Sequence, residues 1–367
     1  MVQREIRMKI ILATGIYPPA IGGPATYSKK LADRLTRSSH DVIVVTYGNK
    51  VETEKWKVEN VLLGLPILRW WKYSKKLKEV GKNADVVYAF SSISCGIPII
   101  LSRLRCKRIL RLGGDFFWER YTAMGGKKGL REWYRSSRWQ LAVSSWLLNK
   151  FDHVVFSTDF QQQIYKDAYK NLPKNSVIEN ALALDQVVPM EQHFLKKQLR
   201  LLFVGRFVNF KNIPLLIEAV AQIPDAYLTL VGSGPQDDAL RKQTERLELT
   251  TRVQFVAPLR GKEKFEIFGK HDLLVIPSLT DISPNTALEA RSVGLPALLT
   301  EETGLSEHLR SGIVIADLST PQKITEEINR IREGYNFVSE AASKKIEGRS
   351  WEEVSKDTED LFATICV

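Results

Sequence analysis

The chain has 367 residues, 44% hydrophobic, 26% charged and 9% aromatic, which supports about two globular domains and excludes a disordered or fibrous chain. The net charge of +11 is one-sided: residues 1–200 carry 34 basic and 17 acidic side chains, a balance of +17, and residues 201–367 carry 19 and 25, a balance of −6. A positive field confined to one half points to a phosphate-bearing partner, nucleic acid or anionic lipid, or to a merely solvated basic surface.

In chain order, residues 9–14 read as a buried strand, followed by a loop rich in Gly and Pro from Gly15 to Pro24, a helix over 25–36 and a strand over 41–46. Further strands are predicted at 86–89, 107–112 and 153–157. Across 171–199 the periodicity lapses around Pro173 and Pro189. It resumes with strands at 201–204, 227–231, 252–256, 273–276 and 296–299, alternating with helices at 213–223, 236–247, 262–269 and 285–293. Three helical patterns, 324–332, 337–346 and 351–365, close the chain. Such alternation implies α/β architecture, with parallel sheets covered by helices on both faces. Two series predict two doubly wound Rossmann-like domains facing across a cleft, residues 1–190 and 191–348, with a helix over 349–367 packing back toward the first. Ligands of open parallel sheets bind beyond the carboxyl ends of the strands, so the cleft is the expected site.

Cys95, Cys106 and Cys366 lack metal-ligand spacing and read as reduced thiols of a cytoplasmic protein. The longest apolar runs fall far short of the roughly 20 residues that cross a bilayer. Residues 1–9 do not read as a signal peptide, so membrane contact is expected to be peripheral.

Two segments carry candidate chemistry. The strand at 201–204 ends in Gly205-Arg206-Phe207, with Lys211 just before a helix. Glycine there lets a ligand approach the backbone closely, and two cations beside a helix start can neutralise a diphosphate. The second segment runs from Pro277 through Asp281 and Ser283-Pro284 to Glu289. Ser283 is the expected N-cap and Pro284 the first helical residue, leaving the amides of Asn285 and Thr286 to face a phosphate. Glu289, one turn further in, can accept hydrogen bonds from a ribose diol, and Asp281 lies in the preceding loop.

Taken together, Gly205-Arg206 with Lys211, Gly232-Ser233-Gly234-Pro235, Asp281 to Glu289 with Gly294-x-Pro296, Gly304-x-x-Glu307, and the loop of Tyr17-Pro18-Pro19 with Gly22-Gly23 resemble a GT-B glycosyltransferase of family 4, glycosyl transferases group 1. The resemblance covers nearly the whole chain, with its motifs in the right order. It implies a retaining transfer from a nucleoside diphosphate sugar, a UDP-sugar or GDP-sugar. Arg206 and Lys211 would hold the diphosphate as leaving group, Glu289 the ribose and Asp281 the donor sugar. Gly205, Gly232 and Gly234 would border the nucleotide, and Gly22-Gly23 would let their loop close over the phosphates. Charge on the departing phosphate calls for fixed cations and amide dipoles. No Asp-x-Asp occurs, so no metal or other cofactor is expected.

Two departures from the family stand out. Asp281 replaces the usual Glu. The His that many relatives carry after a strand matching 107–112 is absent, and Gly113-Gly114-Asp115 stands there instead. Asp115 is therefore either the catalytic polar group facing donor or acceptor, or a loop residue capping its own segment. Asn180 reads as structural.

The stretch from Arg69 to Lys78 contains Trp70, Trp71, Lys72, Tyr73, Lys75 and Lys76, and Trp133, Tyr134, Trp139 and Trp146 lie among further cations. Rings at headgroup level with ammonium groups on anionic lipid describe an interfacial surface; alternatively the rings pack in the core. The family takes its acceptor on the N-terminal domain, so this surface suits a lipid-linked or oligosaccharide acceptor at the inner face of the cell membrane. Two other readings compete. One is a GT-B sugar-nucleotide 2-epimerase; the other is a basic nucleic-acid-binding protein, for which no RNA-binding or zinc-finger signature appears, so no nucleic acid is expected.

Overall fold

The structure, a computed structural model, describes residues 7–20, 22–51, 53, 55–136, 139–182, 194–195 and 198–366. It divides into two compact units. The first comprises Met1–Phe117, Tyr134–Ala181 and Arg349–Val367, and the second Trp118–Trp133 and Leu182–Gly348.

From the amino terminus the chain forms β1 (Lys9–Ala13), α1 (Gly23–Arg37), β2 (Asp41–Tyr47), β3 (Lys57–Val61), α2 (Pro66–Val80), β4 (Val86–Ala89), α3 (Gly96–Ser102) and β5 (Lys107–Leu112). There follow α4 (Phe116–Ala123), α5 (Leu130–Ser136), α6 (Trp139–Leu148), β6 (His153–Phe156), α7 (Asp159–Ala168) and β7 (Asn175–Val177). Among the described residues the strands make one parallel seven-stranded sheet, ordered β3-β2-β1-β4-β5-β6-β7. Ile10 pairs with Val42 on one side and Val86 on the other, so the apolar β1 is central and buried. Its core gathers Ile10, Leu12, Leu31, Val44, Tyr88 and Ile109. β3 and β7 were not legible in the sequence. β3 reads Lys-Val-Glu-Asn-Val on a half-exposed edge, and β7 has only three residues, so neither carries an apolar run.

The second unit begins at β8 (Leu199–Val204) and continues with a 3-10 turn (Asn209–Lys211), α8 (Ile213–Ala221), β9 (Ala226–Val231), α9 (Asp237–Arg246) and β10 (Val253–Val256). Then come α10 (Gly261–Phe268), β11 (Leu273–Ile276), α11 (Asn285–Ser292), β12 (Ala297–Thr300), β13 (Ile313–Ala316), α12 (Pro321–Glu333) and α13 (Tyr335–Ser343). The parallel order is β10-β9-β8-β11-β12-β13. Alternation along β8 feeds two cores: Leu201 and Phe203 pack with Ile217, Leu228 and Ile328, while Leu202 packs with Leu274, Ile276, Leu288 and Leu299. This is the period-2 pattern of a strand covered on both faces.

The last helix, α14 (Trp351–Cys366), returns to the first unit. Trp351 meets the Tyr27 ring edge-on at 5.2 Å, and Phe362 meets Tyr88 at 5.4 Å. The predicted boundary at 190 lies outside the described residues. Residues 118–133, which the sequence reading kept in the first domain, belong instead to the second unit, because their backbone and rings bond to its loops. Among the described residues no helix is long and apolar enough to cross a membrane.

Candidate active site

Strand order in the second unit reverses between β8 and β11, and such a switch point opens a crevice beyond their carboxyl ends. β8 leads there into Gly205-Arg206-Phe207. The Gly205 amide donates to the Val231 carbonyl at 3.0 Å and the Phe207 amide to the Ser233 carbonyl at 2.9 Å, so this loop runs beside the one after β9. A Cβ at Gly232 would stand 1.9 Å from the Gly205 oxygen, and one at Gly234 2.4 Å from the Phe207 oxygen. Both glycines are thus required by the close packing of two backbones, independently of any ligand.

Phe207 and Phe210 turn inward, and the 3-10 turn ends at Asn212 with φ of 56°. That geometry sends the Lys211 ammonium to the Asp281 carboxylate, Nζ to Oδ2 at 3.0 Å. Arg206 is exposed, with Nη2 3.5 Å from Glu119 Oε2. The two cations flank one ring: Arg206 lies 5.9 Å and Lys211 5.5 Å from the Phe210 centroid.

Asp281 is buried in a loop fixed on both sides. The Leu279 amide donates to the Phe210 carbonyl at 2.8 Å, the Asp281 amide to the Glu302 carbonyl at 2.9 Å, and the Gly304 amide to the Asp281 carbonyl at 2.9 Å. Residues seventy positions apart in sequence therefore face one another through adjacent strand ends.

The start of α11 differs from the predicted one. Pro284, with ψ of 49°, is itself the N-cap, so it is not the first helical residue, and Ser283 stands one position before the cap. The Asn285 amide donates to the Ser283 carbonyl at 2.8 Å, so it is not turned toward a phosphate. Thr286 stands in the first turn as predicted. Glu289 is half-buried one turn further and is ion-paired with Lys264 of α10. Sequence reasoning passed over Lys264, since Lys262-Glu263-Lys264 reads as an ordinary solvated helix face.

It also missed the segment 118–133. The amides of Leu130 and Arg131 donate to Thr280 Oγ1 at 2.8 Å and Glu302 Oε1 at 2.7 Å, and Asn209 Nδ2 donates to the Thr122 carbonyl at 2.8 Å. The Trp118 ring lies 5.1 Å from Phe210. A Cβ at Gly129 would fall 1.9 Å from Glu302 Oε2, so a larger residue there has to displace that carboxylate. Burial pushes the Glu302 carboxyl above its usual range. The signal available was Gly125-Gly126 and Gly129 in a loop too short to be a linker.

In the first unit, α1 opens at Gly23 with Gly22 as its N-cap and no side-chain cap. Nothing lies within 4 Å of a Cβ placed on Gly23. Of the two readings of Asp115, the structural one fits its surroundings. It is 3% exposed, and its Oδ2 accepts the hydroxyls of Tyr134 at 2.5 Å and Tyr165 at 2.6 Å. Burial drives both phenols well above their ordinary range, so they stay protonated donors. Asn180 accepts from Arg111 Nη2 at 2.7 Å, a structural bond. Within α2, Trp71, Lys72 and Lys75 are exposed as predicted for a surface. Trp70 is half-buried, and Lys76 is tied to Glu59 at 3.3 Å and Glu79 at 3.0 Å, so these two do not present themselves as the sequence suggested. Among the described residues no group of three His, Cys, Asp or Glu side chains is placed to hold a metal.

Residues 21–186 match the family described as Glycosyltransferase Family 4, and residues 189–347 match Glycosyl transferases group 1. An uncharacterised glycosyltransferase of Methanocaldococcus jannaschii is 27% identical across 97% of this chain and 98% of its own length. The lipopolysaccharide core biosynthesis glycosyltransferase LpsE of Rhizobium meliloti is 34% identical over 30% of this chain and 32% of its own. Anabaena HepE, crystallised in complex with UDP-glucose, superimposes with a TM-score of 0.72 at 18% identity, covering 98% of this chain and 97% of HepE, a likeness of fold.

Proposed function

The chain belongs to glycosyltransferase family 4 and is a glycosyltransferase of the GT-B fold, and from that premise we propose that it moves a sugar from a UDP-sugar or GDP-sugar to a lipid-linked or oligosaccharide acceptor, with retention at the anomeric carbon. The observation that carries this reading is the Lys211–Asp281 pair at 3.0 Å beyond β8 and β11, with Arg206 on the same ring of Phe210.

In this reaction the bond from the anomeric carbon to the diphosphate breaks, an acceptor hydroxyl oxygen bonds to that carbon and gives up its proton to the departing diphosphate, on which negative charge grows as it leaves. Fixed cations in a sheltered crevice stabilise that charge more than the ground state, which is what lowers the barrier. Asp281 holds the Lys211 ammonium in place when no donor is bound. An entering diphosphate takes over the ammonium, and the freed carboxylate accepts hydroxyls of the donor sugar. Glu289, oriented by Lys264, accepts the ribose hydroxyls. Lys211, held by Asp281, and the exposed Arg206 supply the charge compensation, so this scheme calls for no metal. The complex of HepE with UDP-glucose supports a uridine donor, and the role of LpsE in lipopolysaccharide core biosynthesis supports a cell-surface glycan as product. The basic first half suits an acceptor presented on the anionic inner face of the membrane.

Thermal melting with UDP, GDP and ADP tests the donor assignment. A ligand at 100 times its Kd stabilises by about 2.7 kcal/mol, so UDP or GDP is expected to raise the melting temperature by several degrees, and no shift with any nucleotide overturns the reading. An NMR spectrum of the product formed from an α-linked donor is expected to show an α linkage; a β linkage overturns retention.

A further inference from the structure

Between β3 and α2 the chain runs through Leu62-Leu63-Gly64-Leu65, and α2 opens with Pro66-Ile67-Leu68. The side chains of Leu62, Leu63, Leu65, Ile67, Leu68 and Trp71 are all exposed, from 54% at Leu68 to 78% at Ile67. Six large apolar groups within ten residues of a surface are costly in water and mark a contact site.

The helix itself is firmly seated. Tyr73, Ser74, Leu77 and Val80 are its buried face, and the Tyr73 hydroxyl donates to the Val45 carbonyl at 2.6 Å. Its outer face changes character along its length: Ile67, Leu68 and Trp71 occupy the first turns, and Lys72, Lys75 and Lys78 the following ones. The Lys75 ammonium lies 5.8 Å from the Trp71 ring centroid, where apolar gives way to cationic.

We propose that residues 62–71 are an apolar wedge that enters the headgroup region of an anionic bilayer, with Lys72, Lys75 and Lys78 as the collar that binds lipid phosphates. The collar decides the occupant. A second copy of the chain would bring like charges together at the rim, whereas an anionic membrane offers hydrocarbon for the leucines and phosphate for the lysines at the spacing of one helix face. Trp70, half-buried within this stretch, and Lys76, tied to Glu59 and Glu79, are not part of the inserting face. This proposal rests on the reading of a membrane-presented acceptor for its purpose, but its test needs neither donor nor acceptor, so either can fail without the other.

Co-sedimentation with vesicles of phosphatidylcholine, with and without phosphatidylglycerol, tests it. Wild type is expected to bind the anionic vesicles and to retain part of that binding in high salt. The triple variant Leu63→Gln, Leu65→Gln, Ile67→Gln alters only exposed side chains, so its melting temperature stays that of wild type while vesicle affinity falls on the order of 10²-fold. The variant Lys72→Gln, Lys75→Gln, Lys78→Gln is expected to lose a similar factor, on the order of 10², and the salt dependence with it. Unchanged binding by the leucine variant overturns the proposal. So does a wild type that is dimeric without lipid, becomes monomeric in that variant and keeps its vesicle affinity, since the patch is then a self-association face. Loss of binding on replacing Trp139 and Trp146 of α6, with the leucine variant unaffected, likewise overturns it.

Discussion

At the scale of single residues, the Lys211–Asp281 pair makes opposite predictions for its two members. On the proposed reading Lys211→Ala removes a group that acts on the leaving phosphate, and it is expected to lower kcat by about 10²–10³. It also leaves Asp281 buried without the cation 3.0 Å away, so part of the loss will appear as reduced stability. Asp281→Asn keeps the shape and frees Lys211, so UDP binding should hold or tighten while turnover falls; steady-state kinetics beside calorimetric Kd values separate the two. Asp115 serves as the contrast. Asp115→Ala strips an acceptor from two buried phenols and should cost about 2–5 kcal/mol of stability, while the KM of the molecules that remain folded is unchanged. A selective rise in KM without a fall in melting temperature would return Asp115 to the ligand. Arg206, Lys211, Asp281 and Glu289 stand out individually in the sequence, because glycine, cation and carboxylate at strand ends are local signals. It did not show that Lys211 meets Asp281 or that Lys264 meets Glu289, because those pairings are made by strand order, which no local pattern encodes.

Among elements, residues 118–133 depart furthest from expectation. Gly129→Ala would force a methyl into the Glu302 carboxylate and should destabilise by about 1–3 kcal/mol, with a loss of turnover because Glu302 and Thr280 border Asp281. Glu302 adds a pH signature. Its folded pKa is raised above the ordinary value of 4.5, so the folded state holds this proton more tightly than the unfolded chain. The stability this provides is complete below pH 4.5 and is lost as pH rises through the folded pKa. Glu302→Gln removes that dependence, so its melting temperature relative to wild type should climb across the interval above pH 4.5; a difference flat with pH contradicts the assignment. Long apolar runs such as those of β1, β2, β8 and β11 were legible, since buried parallel strands require them. α11 starts at Asn285, where the helical pattern predicts it, but Pro284 stands as its N-cap and not as its first helical residue.

For the whole molecule, the charge asymmetry acquires two separate meanings. The half with a balance of −6 holds Arg206 and Lys211 of the proposed donor crevice, while the half with +17 carries Lys72, Lys75 and Lys78 of the proposed collar. Bulk charge therefore does not locate the donor site, and a salt titration should weaken vesicle binding far more than nucleotide binding. The fold class was legible because two strand-helix series recur along the chain, whereas the exchange of 118–133 into the second unit follows from contacts formed only on folding. The central claim is that Arg206 and Lys211 hold the donor diphosphate, and calorimetric titration of UDP and GDP into wild type and the Arg206→Ala, Lys211→Ala double variant tests it most directly. One nucleotide is expected to bind wild type with 1:1 stoichiometry and the double variant on the order of 10²-fold more weakly. Equal affinity in the two proteins, or no binding of either nucleotide to wild type, would contradict it.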